Sequence, residues 1–327
     1  MKTLISAGIA ALMLSFAAFA QAPSGTLTIY TSQPSDQMAE VTKAFTAKYP
    51  DVKINLFRSG TTEVMNKLQA EFTAGSPQAD VVLIADAVAA TQLKNDGRLY
   101  AYTDAPTGKV PAALIDPDKT FFGTKLITTG IVYNTTLVKT APTSWMDLLA
   151  KDAAKSTILP SPLYSGAAAI HVGTLVQKPE FGWKYFETLA EGGALAGKGN
   201  GTVIEAVARG EKAYGIIIEY MALNAKTKGS PVDFVFPKEG VSVIGQPVAI
   251  LKTTKNMGAA KAFVDWQLSE EAQVQSVAQG YFPILPGVKA PAGYPDAASL
   301  KFIEGDATKM LKDDEASKKK FADLYGG

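Results

Sequence analysis
What constrains this chain most is a repeated order: a short β-forming apolar run, a polar break, then a segment with helical hydrophobic spacing. Leu27-Thr28-Ile29-Tyr30 is the first such run. Thr31-Ser32-Gln33-Pro34-Ser35 interrupts it, and Met38, Val41 and Phe45 then recur at helical spacing up to Tyr49-Pro50. Val52 to Phe57 repeats the pattern, followed by the turn Arg58-Ser59-Gly60-Thr61 and a helix with Val64, Leu68 and Phe72 on one face. Val81-Val82-Leu83-Ile84 is continuously apolar, as a strand buried on both faces must be. Strands that alternate with helices pair in parallel, because each helix crosses over the sheet between them. The expected class is therefore α/β with largely parallel sheets flanked by helices.

The middle of the chain carries a second set of elements. Ser144, with Asp147 three residues on, caps a helix, and Ser156-Thr157-Ile158-Leu159 is a short strand ahead of an Ala-rich helix that begins near Gly166. Ala213 to Ile218 is a strand ending at Glu219-Tyr220, and Ala259 to Gln279 reads as one long amphipathic helix. Two extended apolar segments, Leu126 to Tyr133 and Val241 to Leu251, bracket this block. The division expected is one lobe from residues 24–126 plus 250–327 and a second from 136–240. Residues 127–135 and 241–249 would be the crossings, with Gly130 and Gly245 able to absorb hinge motion. The charged stretch Lys309–Lys320 reads as a solvated helix.

Composition narrows the chemistry. The 327 residues include no cysteine and one histidine, His171, so thiol catalysis, disulfides and Cys/His zinc sites drop out. Thirty-two Lys and Arg balance 31 Asp and Glu, which leaves no basic field for nucleic acid. Lys2, the apolar run Leu4 to Phe19 and the small-x-small triplet Ala18-Phe19-Ala20 read as a cleaved signal peptide over residues 1–20, hence an exported chain, and a monomer is expected. Without cysteines its stability has to come from core burial.

In open α/β sheets ligands bind beyond the carboxyl ends of strands. Those positions hold Thr31 and Ser32, then Ser59, Gly60 and Thr61, and Asp86 in the first lobe. In the second lobe they hold Tyr164, Ser165, Gly166 and Ala167, then Glu219 and Tyr220, with Thr129 on the first crossing. Ser59-Gly60-Thr61-Thr62 and Ser165-Gly166-Ala167-Ala168 each open a helix. Free N–H groups, a bare glycine backbone and hydroxyls there suit an anion. Ser-Gly at a helix start is also an ordinary cap, and Asp86 could be a cap as well as a ligand group. His171, inside an apolar helix, reads as structural. Arg58 either meets the anion or faces solvent.

These residues also carry a resemblance. The leader followed by Leu27-Thr28-Ile29-Tyr30-Thr31-Ser32, then Phe45-Thr46-Ala47-Lys48-Tyr49-Pro50, resembles the start of periplasmic solute-binding proteins of ABC importers. Ala79-Asp80-Val81-Val82, Pro142 to Leu149 and Gly280-Tyr281-Phe282-Pro283-Ile284-Leu285-Pro286 are similar to the same family, so the match runs through the whole mature chain. The nearest branch looks like the ferric-iron-binding and phosphonate or organophosphate-binding group. The resemblance implies a two-lobed type II fold, a solute closed between the lobes, no cofactor, no enzymatic activity and delivery to an ABC transporter permease. Ferric binders in this branch use two adjacent tyrosines, where this chain has Glu219-Tyr220, and often a histidine after the first strand, where it has Ser32-Gln33-Pro34-Ser35.

The expected ligand is therefore a small phosphonate or phosphate ester, of the 2-aminoethylphosphonate or sugar-phosphate type. Glu219 or Asp86 would pair with an ammonium or accept from hydroxyls. The alternative is Fe³⁺ held by Glu219 and Tyr220. An exported hydrolase with Asp86 and Glu219 as paired carboxylates is the reading from another class.

Overall fold
A computed structural model describes residues 22–326, and the leader expected over residues 1–20 lies outside the described residues. The first βαβαβ unit forms as its periodicity dictates: β1 (Gly25–Thr31), α1 (Ser35–Lys48), β2 (Val52–Arg58), α2 (Thr61–Thr73), β3 (Val81–Leu83) and α3 (Ala87–Asn95). β1 pairs in parallel with both β2 and β3, and β3 is fully buried. The chain then enters β4 (Phe121–Asn134), a strand of 14 residues.

Beyond it come a 3₁₀ turn at Trp145–Leu149, α4 (Lys151–Lys155), β5 (Thr157–Pro160), α5 (Gly166–Leu175), α6 (Gly182–Glu191) and β6 (Leu195–Gly197). α7 (Asn200–Ala208), β7 (Tyr214–Ile218), α8 (Glu219–Thr227) and β8 (Val232–Val235) complete the second half. β9 (Ser242–Ile250) returns, followed by α9 (Met257–Gln267), α10 (Glu270–Ala278) and α11 (Ala307–Tyr325). The expected helix over Ala259 to Gln279 is two helices. Ser269 accepts from the Ala272 N–H and starts the second, a cap that the Ser269-Glu270-Glu271 sequence encodes.

The strand order is β2-β1-β3-β9-β4-β7-β5-β6, with β8 on β4. The two flanks are parallel, but the middle is antiparallel: β9 with β3 and with β4, and β4 with β7. β4 and β9 run alongside each other from one lobe into the other, from Phe121 opposite Ala249 to Thr129 opposite Ser242. A bulge interrupts this ribbon, where Thr124 and Lys125 stand against Gln246 alone.

Each lobe has its own core. Phe45 meets Phe263 and Trp266 edge-on in the first, with ring centroids 5.2 and 6.0 Å apart. Trp145, Leu148, Phe186 and Phe321 are buried together in the second. Phe321 belongs to α11, so not all of residues 250–327 return to the first lobe. Ile303 N–H donates to the Val241 carbonyl, and α11 lies against α3 of the first lobe and α5 and α6 of the second. Its polar sequence read as solvated because Phe321 is the one residue of the helix that is fully buried.

Candidate functional site
Strand ends and helix starts meet in a cleft of about 590 Å³ between the lobes. Five helices begin at its wall. Pro34 and Ser35 bring in α1, Gly60 and Thr61 bring in α2, Gly166 brings in α5, Asn200 and Gly201 bring in α7, and Ile218 and Tyr220 bring in α8. A helix start carries N–H groups without a partner in the helix and the positive end of a dipole; at α5 the Ala168 N–H is already taken by Ser165 Oγ.

Of the residues expected from sequence, Ser32, Ser59, Gly60, Thr61, Tyr164, Ser165, Gly166, Ala167 and Tyr220 line this cleft. The lobes touch along it. A Cβ on Gly60 would lie 2.7 Å from the Tyr164 carbonyl oxygen, and one on Gly166 2.8 Å from Asp86 Cβ and 2.9 Å from Thr61 Oγ1. Glycine is required at both positions by close approach across the cleft. At the mouth, Glu63 of the first lobe meets Lys198 of the second at 3.0 Å. Hydrogen bonds from Ser59 and Lys198 hold the Glu63 carboxyl down at about 2.

Four expected residues lie elsewhere. Thr31 is buried, and its hydroxyl donates to the Leu83 carbonyl, tying β1 to β3. Thr129 is buried in the strand pairing between β4 and its neighbours β7 and β9. Glu219 starts α8 but turns inward, where its Oε2 accepts from the Thr128 N–H at 2.6 Å; full burial pushes its carboxyl up to about 8. Asp86 caps α3, accepting from the Val88 and Ala89 N–H groups at 2.9 and 3.0 Å, and borders the grooves beside α11.

His171 is a core residue, with Nδ1 3.0 Å from Ser242 Oγ and its ring on Trp145, and burial takes it down to about 3. Arg58 does reach the cleft. It donates to the Gln33 and Ser32 carbonyls and stiffens the loop after β1.

The capping role of Asp86 leads to a measurable pH effect. Burial raises its carboxyl from 3.8 to about 7, so the folded chain holds this proton where the unfolded chain has lost it. Its contribution to stability therefore falls as pH rises from about 4 to about 7 and is flat above that range. Asn caps as well as Asp. Asp86→Asn is expected to leave stability near pH 4 unchanged and to raise it at pH 8 by on the order of 1–3 kcal/mol. Thermal melts of both proteins across pH check this; a gap that does not change with pH would contradict it.

The sequence reading passed over Gln33, Lys198, Gly199, Asn200, Gly201, Thr202, Gln246 and Tyr281, which also line the cleft. Gly199-Asn200-Gly201-Thr202 carries the same glycine-and-hydroxyl signature before a helix as Ser59-Gly60-Thr61-Thr62, and that signal could have found it. Gln246 and Tyr281 arrive through strand pairing and a turn after α10, which local pattern does not encode.

The sequence profile of bacterial extracellular solute-binding proteins matches residues 31–274. A probable ABC transporter periplasmic-binding protein, y4fP of Sinorhizobium fredii, is 27% identical over 85% of this chain and 79% of its own length. Among solved structures, the periplasmic binding protein AfuA of Actinobacillus pleuropneumoniae with fructose-6-phosphate bound is 27% identical. It covers 92% of this chain and 99% of its own, with a TM-score of 0.83. Iron-bound HitA of Pseudomonas aeruginosa shares the fold at 22% identity and a TM-score of 0.78, over 90% and 99% of the two chains. With strand-end loops from both lobes meeting at one cleft and three quarters of its length inside the profile, this chain belongs to the bacterial extracellular solute-binding protein family.

Proposed function
We propose that the protein is the periplasmic receptor of an ABC importer and that its cleft captures a small organic phosphate ester. Residues 127–135 and 241–249 serve as the hinge, and closure presents the loaded shape to the permease. The observation that carries this reading is the convergence of five helix N-termini on one cleft. Such termini bind anions through backbone N–H groups, and Ser59, Thr61, Ser165 and Thr202 add hydroxyls beside them. The volume suits a small organic solute.

Glu219 and Asp86 turn away from the cleft, and the carboxylate that does line it, Glu63, is already paired with Lys198, so neither expected carboxylate is placed to meet the ammonium of 2-aminoethylphosphonate. Tyr220 and Tyr281, with ring centroids 4.2 Å apart, instead offer an aromatic wall to the body of the solute. This favours a hydroxylated phosphate ester, and AfuA with its fructose-6-phosphate supports the same class. Fe³⁺ held by Glu219 and Tyr220 has less support. The carboxyl is engaged at Thr128, and burial raises the Tyr220 phenol, which disfavours the phenolate a ferric ion needs.

The test is a thermal-shift series on protein refolded free of ligand, with fructose 6-phosphate, 2-aminoethylphosphonate, inorganic phosphate and ferric citrate. At a thousandfold excess over Kd a ligand adds about 4 kcal/mol, which should raise Tm by upwards of about 5 °C. The expected rise is with the phosphate ester. A rise with ferric citrate alone, with a tyrosinate-to-iron colour, would overturn the reading.

A further inference from the structure
Below the loop that opens α1 lies a polar layer inside the first lobe, built around a lysine. The bulge in β4 puts Thr124 and Lys125 opposite Gln246. It is pinned on two sides: Thr124 Oγ1 donates to the Gln246 carbonyl at 2.9 Å, and Gln273 Nε2 donates to the Thr124 carbonyl at 2.7 Å. A bulge re-aims the side chain it carries. Here Lys125 is completely buried; its Nζ lies 3.0 Å from Gln33 Oε1 and 4.5 Å from the Tyr281 ring centroid. Gln33 and Tyr281 are both cleft residues.

The hydrogen bonds that leave Lys125 have a single direction. Its ammonium donates to Gln33 Oε1; Gln33 Nε2 donates to Gln279 Oε1 at 3.1 Å; Gln279 Nε2 donates to Glu40 Oε2 at 3.0 Å and to the Gln37 carbonyl at 2.9 Å. An ammonium can only donate and a carboxylate only accept, so the two ends fix the orientation of every amide between them. Tyr281 joins through Gln37, donating to its Oε1 at 2.5 Å. The network thus holds the Ser32–Ser35 loop and the α1 terminus at the cleft wall.

We propose that Lys125 is a positioning residue and the buried positive charge for an anionic solute in this cleft, acting through Gln33 and Tyr281. Among the described residues no carboxylate pairs with Lys125 Nζ, which is costly for a buried ammonium, and an anion in the cleft would be its counter-charge. The proposal rests on the phosphate-ester reading above. It adds that capture is coupled to the protonation of this lysine. Burial brings Lys125 down to about 7, so near neutral pH the empty protein holds it partly unprotonated and the incoming anion draws a proton from solvent onto Nζ. The other charged or titratable groups facing the network are Glu40 at its far end, Tyr220 and Tyr281, with Glu219, Asp36 and Arg58 acting on the tyrosines.

Calorimetric titration with fructose 6-phosphate at pH 7.5, in buffers of different ionisation enthalpy, tests this. Wild type should take up roughly half a proton per ligand bound. Lys125→Met should bind at least about tenfold more weakly and show no such uptake. Its ligand-free Tm should fall only slightly, because loss of the bond to Gln33 Oε1 is offset by replacing a buried charge with an apolar chain. Lys125→Arg, whose charge does not titrate, should recover affinity without recovering uptake. Glu219→Gln and Asp86→Asn should each keep the uptake, which separates Lys125 from the other buried groups that titrate in this range. Equal affinity and equal uptake in wild type and Lys125→Met would overturn the role of Lys125 and leave the phosphate-ester reading intact. A wild-type protein that binds no phosphate ester would overturn both.

Discussion

Gly166→Ala is expected to weaken binding of the phosphate ester between roughly tenfold and 100-fold while leaving the ligand-free protein as stable as before. One methyl group suffices because of where it would land. The new Cβ would stand 2.8 Å from Asp86 Cβ, 2.9 Å from the Ala85 carbonyl oxygen and 2.9 Å from Thr61 Oγ1, all in the opposite lobe. No carbon atom tolerates these distances, and two of the neighbours are held fast, one by strand-end backbone and the other by the α3 cap. Overpacking of this kind costs about 1–3 kcal/mol. The cost falls on the state in which the lobes meet, so it comes out of the affinity. Calorimetry with fructose 6-phosphate, beside a melt of the ligand-free protein, distinguishes the outcomes. Unchanged affinity would mean that ligand is held with the lobes further apart. A large fall in ligand-free Tm would mean that the contact is part of the resting fold.

Trp145→Ala should have the largest effect on stability. Trp145 is fully buried, its indole N–H donates to the Gly240 carbonyl at 2.8 Å, and its ring lies against His171 with centroids 4.9 Å apart. Tyr185 donates to its carbonyl. Truncation leaves a large cavity and an unpaired carbonyl, at a cost of about 3–5 kcal/mol, a substantial part of the stability of an ordinary domain. Tm should fall by around 10 °C. Affinity measured well below the transition should stay within about twofold, because this core does not line the cleft. A loss below about 1 kcal/mol would show that Phe186 and Leu148 collapse into the space.

The order of strands and helices along the chain was legible because strand and helix periodicities differ and the breaks between them carry Gly, Ser and Pro. These two cleft-lining loops were legible for the same reason: Ser59-Gly60-Thr61 and Ser165-Gly166-Ala167 mark helix starts, and strand ends place helix starts at a cleft. What stayed hidden depends on contacts far apart in sequence. Gln33 meets Gln279 across 246 positions, and each alone reads as an ordinary polar side chain. Glu219 could be read either way, since a carboxyl ending an apolar strand has to find a partner; the Thr128 N–H, 91 positions away, is that partner. Asp86 had two readings that use the same geometry, and the cap took it. The partners of α11 were invisible because one buried aromatic, Phe321, supplies its anchor in the second-lobe core.

The paired strands β4 and β9 also determine how deformation can be distributed. Seven residue pairs join them between Phe121 and Thr129. On either side of the bulge their backbone groups bond to each other, so bending or twisting the ribbon would not require the ladder to open. The result is a leaf spring rather than a door pivot. Hinge motion through it would be spread along its length, with the ladder kept, instead of being concentrated at one peptide.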